Sequence, residues 1–575
     1  MRRFFRRVAA HEPTILILVG ALLGVATGYG AVLCRLGIGA IRKLAFGEAG
    51  DITLLASDAP PLLVLLLPAL GGLLVAPLVE YFAQEAKGHG VPEVMDAIAR
   101  RGGRIRPRVV AVKALASVIT IGTGGAVGWE GPIIQIGAGL GSAVGQFLHV
   151  VRRHMRILVA CGAAAGIAAT FNAPIAGVLF ALEIFLGDLA IVTFAPVVVA
   201  AVAGTAVSVL HFGSHAVFAL PTESYKLYSV WEIPLYALLG VACACGAVLF
   251  TRLVYFFEDS FEGLRFPRLL KPALGGLAVG ALGVMMPEVL GVGYETIGRT
   301  FQGHFALAFL AGLFFVKLLA SCLTLGSGGS GGIFAPSLVL GSVLGASFGQ
   351  VAHGVLPDST ARPGVYAVVG MAALVAGTTH APISAILILF EMTRDFHIIL
   401  PLMIACVLAT TVARGIHRES IYTLKLVRRG VRLRGGRDAT VLEAITVGET
   451  MRKHPTVLGE ATTFNEVRRK VLDSKQDIFP VVDREQRFCG IVTLDSLRSF
   501  LFEEGLVDVA VARDLATEWE EVLAPDQTLD DARRALARCL VTELPVVDPR
   551  TRTVRGILRE HDLHAAYNQS VERME

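Results

Sequence analysis

The chain has 575 residues, 54% of them hydrophobic and 17% charged, with a mean hydropathy of +0.63. That composition excludes an ordinary soluble globule and puts most of the chain in a bilayer. A net charge of +4 gives no reason to expect nucleic acid as a partner, and eight cysteines without a C-x-x-C pair predict neither zinc nor disulfides.

Arg2, Arg3, Arg6 and Arg7 precede an apolar run from Thr14 to Cys34. No small-residue cleavage site follows, so the run predicts a first membrane helix in preference to a signal peptide. Pro61 to Pro77, Ile233 to Leu249 and Leu400 to Ala413 also approach the roughly 20 residues that a perpendicular spanning helix needs. Several runs are short or glycine-rich. With 62 glycines overall, the chain predicts tilted and interrupted helices, which bilayers tolerate where loose backbone is buried or lines a wet cavity. Lys425, Arg428, Arg429, Arg432, Arg434 and Arg437 follow the last apolar block. Together with the N-terminal arginines they predict cytoplasmic termini and an even number of crossings; the cell (inner) membrane is the expected location.

Three loops share the frame Gly-x-x-x-Pro: Gly88-His89-Gly90-Val91-Pro92, Gly128-Trp129-Glu130-Gly131-Pro132 and Gly332-Ile333-Phe334-Ala335-Pro336. Each reads as a helix start, because proline is accepted in the first turn and glycine frees the backbone before it. The unsatisfied N–H groups of such a start sit at the positive end of the helix dipole. An anion inside a bilayer faces a desolvation cost on the order of tens of kcal/mol, and several converging helix ends can replace its water without a trapping positive charge. A single glycine-rich loop would signify only close helix packing; three of them, in duplicated surroundings, point to a site. The Gly326 to Gly332 run lacks the Gly-Lys-Ser/Thr ending of a phosphate loop.

The duplication is direct. Lys113 to Gln146 matches Lys317 to Gln350 at a constant offset of 204, with 15 identities in 34 positions. Gly162 to Glu183 matches Gly370 to Glu391 at an offset of 208, repeating Ala173-Pro174-Ile175 as Ala381-Pro382-Ile383. Two homologous halves in an apolar chain are the mark of a transporter with its site at the repeat interface. Glu130, an ionisable residue in a membrane segment beside anion-binding N–H groups, reads as functional. Glu183 and Glu391 are repeat partners, as are Lys113 and Lys317, and a role present in both halves reads as support of the fold.

With these motifs the chain resembles the CLC family of chloride channels and proton/chloride antiporters along nearly its whole length. The family signatures G-S-G-I-P, G-[KR]-E-G-P and G-x-F-x-P correspond to the three loops, and a late tyrosine to Tyr422 in Ile421-Tyr422-Thr423. The resemblance implies an all-α polytopic membrane protein with two inverted-topology repeats, assembled as a homodimer with one pore per subunit. It implies that Glu130 is the gate, its carboxylate occupying the outer anion site. It further implies an anion path lined by His89, Gly90, Trp129, Glu130, Gly131, Ile333, Phe334 and Tyr422, with chloride as the partner and no cofactor.

Two departures matter. The antiporters' internal proton-transfer glutamate would stand directly after Glu183, where this chain has Ile184. Passive conduction therefore leads, and antiport by an atypical proton path involving water or Glu183 is the alternative. His89 stands where the family usually has serine; imidazole can donate an N–H and titrates near neutrality, which predicts pH-sensitive transport. Trp129 replaces the usual Lys or Arg and removes a positive charge near the outer mouth.

Residues 441 to 575 hold 43 of the 100 charged side chains, which predicts a soluble tail. Phe479-Pro480-Val481-Val482-Asp483 recurs there as Leu544-Pro545-Val546-Val547-Asp548, and Gly490-Ile491-Val492 as Gly556-Ile557-Leu558. This resembles a cytoplasmic α/β tandem of CBS domains, with boundaries expected at 441–505 and 506–575 after a membrane domain of 1–440. CBS pairs often bind adenine nucleotides through a hydroxyl residue and, three positions later, an aspartate. Here Thr493 is followed by Ser496 with Asp495 one residue early, and Asp562 is preceded by Arg559, so each copy is incomplete. A structural or dimerising tail stands beside a nucleotide sensor. A CBS-bearing divalent cation transporter would need clustered membrane carboxylates, and a membrane enzyme finds no paired nucleophile and base.

Overall fold

The computed structural model describes residues 12–48, 50–187, 191–214, 218, 232–431, 442, 445–474, 476–494, 496–497, 509–519, 521–539 and 541–574. The chain forms two compact units, Met1–Leu433 and Arg434–Glu575. The N-terminal arginines, Arg432, Arg434 and Arg437, and Asp495 lie outside the described residues.

The first unit is helical. Nine of its described helices are long and apolar enough to cross a membrane, and shorter apolar helices run over Pro174–Leu186, Pro363–Thr379 and Pro382–Thr393. The burial is that of a bilayer protein: Leu22, Leu33 and Leu62 are 65 to 70% exposed, while Lys113 and Lys317 are fully buried. The chain is an integral membrane protein.

The two halves are joined by contacts in which equivalent residues exchange partners. Gly128 and Gly332, equivalent at the offset of 204, exchange both backbone hydrogen bonds, N–H to carbonyl at 2.8 and 2.6 Å. Thr120 Oγ1 accepts from the Ser330 N–H at 3.3 Å, and its counterpart Thr324 Oγ1 accepts from the Ala126 N–H at 3.2 Å. Further along, Glu183 accepts from the Ser384 N–H at 2.9 Å and the Ser384 hydroxyl at 2.5 Å. Its counterpart Glu391 accepts from the Ala176 N–H at 2.7 Å and the Ile175 N–H at 3.1 Å. Residue i of one half touching residue j of the other, and j touching i, is the geometry of a two-fold rotation. That rotation passes between Gly128 and Gly332.

The paired lysines serve the same frame. Lys113 Nζ donates to the carbonyls of Ala86 and Gly88 at 3.0 and 2.6 Å, and Lys317 Nζ donates to those of Val289 and Gly291 at 2.8 and 2.9 Å. Each buried ammonium thus ends on the loop that leads into a short helix, Val91–Arg101 in one half and Tyr294–Phe301 in the other. The carbonyls satisfy a charge that would otherwise be expensive to bury.

Among the described residues, the second unit contains two three-stranded sheets, in the orders β1-β6-β5 and β2-β3-β4. Its strands are β1 (Arg452–Lys453), β2 (Leu458–Gly459), β3 (Ile478–Val482), β4 (Phe488–Thr493), β5 (Glu543–Val547) and β6 (Val554–Arg559). The hairpins β3–β4 and β5–β6 are the duplicated motif, with the same register shift at Val481/Val482 and Val546/Val547. The sheets do not follow chain order. β1, from the start of the first copy, pairs antiparallel with β6 of the second, and the Val447 N–H bonds to the Gln527 carbonyl.

Candidate anion site

The three glycine loops meet. A side chain at Gly131 would overlap the His89 carbonyl, one at Gly332 would lie 2.8 Å from the Gly131 nitrogen, and one at Gly90 would lie 2.8 Å from Gln135 Oε1. Only glycine permits this approach, and Gly90 also has a φ of 83° that side chains disfavour. Helices leave this point over Val91–Arg101, Glu130–Phe147 and Phe334–Val355, so three helix N-termini converge on it. Of the predicted residues, His89, Gly90, Glu130, Gly131, Ile333, Phe334 and Tyr422 are all buried there.

Glu130 folds back over its own loop: a Cβ at Gly128 would overlap Glu130 Oε2. Its other oxygen, Oε1, accepts a 2.5 Å hydrogen bond from the Tyr294 hydroxyl. Trp129 stands at the N-cap of the Glu130 helix and is buried. On the other side of the loop contacts, the His89 ring faces the Tyr422 ring at 6.1 Å between centroids. Neither His89 nitrogen has a hydrogen-bond partner among the described residues, although the side chain is only 2% exposed. Tyr422 is positioned from behind by Tyr255, whose hydroxyl donates to the Ile421 carbonyl at 2.6 Å. The Phe334 ring packs on Phe171 at 5.2 Å.

A cavity of ≈ 520 Å³ lies at the foot of this region, with Lys87, Glu93, Glu258, Lys425 and Arg429 on its wall. Arg429 grips Glu93 with two hydrogen bonds of 2.7 and 3.0 Å, tying the Val91 helix to the segment after Tyr422. Lys425 Nζ lies 3.7 Å from Glu258 and close to Gly88.

The sequence reading overlooked a fourth loop. Gly291-Val292-Gly293-Tyr294-Glu295 is the second-half counterpart of Gly88-His89-Gly90-Val91-Pro92, with left-handed φ values of 60° and 87° at its two glycines against 74° and 83° at Gly88 and Gly90. It lacks the proline that defined the frame, and it sits at an offset of 203, outside the aligned blocks. The Gly-x-Gly spacing was the available signal.

In the tail, Thr493 and Ser496 hydrogen-bond to each other across the end of β4. Asp562, in the first turn of the Glu560–Met574 helix, is held by Arg452 at 2.8 and 3.1 Å. A separate cavity of ≈ 490 Å³ there has Asp477, Glu543 and Glu560 on its wall, with Arg559 ion-paired to Glu543 at 2.6 Å.

A helical membrane unit built of two rotation-related halves around converging helix N-termini is the architecture of a membrane transport protein. Residues 71–414 match the family described as Voltage gated chloride channel, and residues 447–503 and 513–568 each match the CBS domain. The chain belongs to this chloride channel family, with a C-terminal CBS pair. A "Putative chloride channel protein ClcB-like" of Ralstonia nicotianae is 36% identical over 420 residues, covering 72% of this chain and 97% of the relative. The "Chloride channel protein CLC-f" of Arabidopsis thaliana is 30% identical, covering 94% of this chain and 78% of the relative. Among solved structures, that of a slow cyanobacterial Cl⁻/H⁺ antiporter is similar with a TM-score of 0.66 and 26% identity, over 72% of this chain and 97% of that one.

Proposed function

We propose that this protein carries chloride across the membrane by passive conduction, with Glu130 as the gate. The observation that carries the reading is the Glu130 carboxylate lying over Gly128, where the helix N-termini meet. A carboxylate there competes with an anion for the same N–H groups, so the path opens when the side chain is protonated or displaced. His89 and the Tyr422 hydroxyl line the central position, Gly90, Gly131, Ile333 and Phe334 bring the backbone, and Trp129 borders the outer side. Each helix end supplies about 0.3–2 kcal/mol from its dipole, so hydrogen bonds carry most of the compensation for lost water.

Two features favour conduction over antiport. Ile184 offers no carboxyl at the internal position. Glu183, its neighbour, spends a carboxylate oxygen on the Ser384 N–H and hydroxyl, which argues against its serving as a substitute proton carrier. Two copies assembling as a homodimer, with cytoplasmic termini and location in the cell membrane, belong to the same proposal. For the tail, the engagement of Asp562 by Arg452, which occupies the carboxylate, favours a structural or dimerising role over an adenine nucleotide sensor.

The test is purified protein in liposomes, with chloride efflux and internal pH followed together. The wild type should release chloride in a manner dependent on external pH without moving protons uphill. Glu130→Gln should abolish the pH dependence. Uphill proton movement driven by a chloride gradient would replace conduction with antiport, and a pH response retained in Glu130→Gln would remove Glu130 from the gate.

A further inference from the structure

We infer that Tyr294 is a positioning residue that latches the Glu130 gate, through the hydroxyl it donates to Glu130 Oε1; this rests on the reading of Glu130 as the gate. The bond spans 164 residues and crosses from one half of the duplication to the other. It is short, at 2.5 Å, and its acceptor is a carboxylate, the combination that makes a strong hydrogen bond.

The ring is held so that its hydroxyl has little freedom. Phe218 packs edge-on against it at 5.5 Å, and Phe218 itself packs on Phe301, in the helix that Tyr294 begins. The backbone before it is fixed by Lys317, which holds the Val289 and Gly291 carbonyls, and by the Gly291 N–H, which donates to the Gly124 carbonyl at 3.1 Å. A side chain at Gly293 would lie 2.7 Å from Val339, so the turn has one shape. The loop that presents Tyr294 is therefore braced against the loop that carries Glu130.

The duplication gives an independent argument. The residue equivalent to Tyr294 in the first half is Val91, and the residue equivalent to Glu130 in the second half is Phe334. The frame repeats, but the hydroxyl and the carboxylate each occur once, and they occur where they meet. A group kept only for packing would not need the polar member on this side alone. Other polar groups near the pair are the Trp129 indole, Arg35 of the Glu12–Phe46 helix, the Ala335 backbone N–H and the Tyr422 hydroxyl. Among the described residues, it is the Tyr294 hydroxyl that hydrogen-bonds to Glu130 Oε1.

The latch stabilises the gate where it blocks, so an anion or a proton must break it to open the path. Tyr294→Phe removes the oxygen and keeps the ring that Phe218 packs against, so the fold is retained. In liposomes, the full-length Tyr294→Phe protein should release chloride about tenfold faster at neutral external pH, the lower end of what loss of a hydrogen bond to a charged group produces. Its response to external acidification should be flattened. In a Glu130→Ala background, where the latch has nothing to hold, the same substitution should leave flux unchanged. Wild-type flux and pH response in Tyr294→Phe would overturn the latch, as would an equal change in both backgrounds, which would mark a packing role. If Glu130→Ala alone keeps the wild-type flux and pH response, the gate itself fails, and the latch with it.

Discussion

His89 is expensive in the protein as it stands. Both ring nitrogens are buried and neither meets a partner among the described residues, and an unsatisfied buried polar group costs about 1–3 kcal/mol. Such a cost is recovered when a ligand completes the bonds. An anion beside Tyr422 would accept from an imidazole N–H, as it would from the serine hydroxyl that the family usually offers. His89→Phe keeps the ring and its 6.1 Å relation to Tyr422 but has no donor. It should weaken apparent chloride affinity about tenfold or more, the worth of one hydrogen bond to a charged group, read from the chloride dependence of flux. His89→Ser should restore affinity and alter both anion preference and pH dependence. Equal affinity in all three proteins would show that His89 only fills space. The chemistry of this residue was legible in the sequence, because it interrupts a recognisable loop. The Tyr294 contact to Glu130 was not, since nothing local at either residue signals a partner 164 positions away.

Elements were legible where their own residues dictate them. Gly-x-x-x-Pro announces a helix start because the glycine and the proline act within one turn, and helices do begin at Val91, Glu130 and Phe334. The Gly291 loop builds the same shape from its two left-handed glycines without proline, so a search framed on proline passes it by. In the tail, the repeated Pro-Val-Val-Asp marks two hairpins whose closing aspartates act alike. Asp483 accepts from the Glu485 and Arg487 N–H groups at 2.9 and 2.8 Å, and Asp548 from the Arg550 and Thr551 N–H groups at 2.9 and 3.2 Å. The Arg555 guanidinium, followed by these backbone donors, pulls the Asp548 carboxyl from its ordinary 3.8 down to about 2. A carboxyl depressed in the folded state stabilises the fold above its unfolded value and loses that contribution as pH falls through the folded one. The Arg550 and Thr551 amides should therefore keep constant protection from hydrogen exchange between neutrality and about pH 4, then lose it toward about pH 2. Asp548→Asn should show no such transition, and an identical acid transition in that variant would assign the effect to another group. The pairing of β1 with β6 was hidden, because a two-residue strand carries no periodicity of its own.

Across the whole molecule, the residues that repeat and those that differ separate by role. Lys113 and Lys317, Thr120 and Thr324, and Glu183 and Glu391 repeat, and each pair makes matching contacts in the two halves. Glu130, Tyr294 and His89 have no chemical counterpart, facing Phe334, Val91 and Val292 in the alignment. A two-fold frame supplies rigidity twice over, and the groups that occur only once, Glu130, Tyr294 and His89, are placed on it asymmetrically. Glu183 is where the division is tested most sharply, since it is a scaffold residue by its reciprocity and sits beside the position where an antiporter would keep a proton carrier. Its carboxylate and that of Glu391 each satisfy N–H groups in the first turn of the other half's helix, Pro382–Thr393 and Pro174–Phe180 respectively. If both are scaffold, Glu183→Gln and Glu391→Gln should each destabilise the detergent-solubilised protein by a similar amount, about 1–3 kcal/mol for a weakened buried bond to a charged group. Each should leave the chloride flux per folded molecule and its pH dependence intact. Thermal unfolding and liposome flux, measured on the same preparations, separate this from the alternative. A Glu183→Gln protein of wild-type stability that lost proton movement while Glu391→Gln kept it would make Glu183 a carrier, and would turn the conduction reading into antiport.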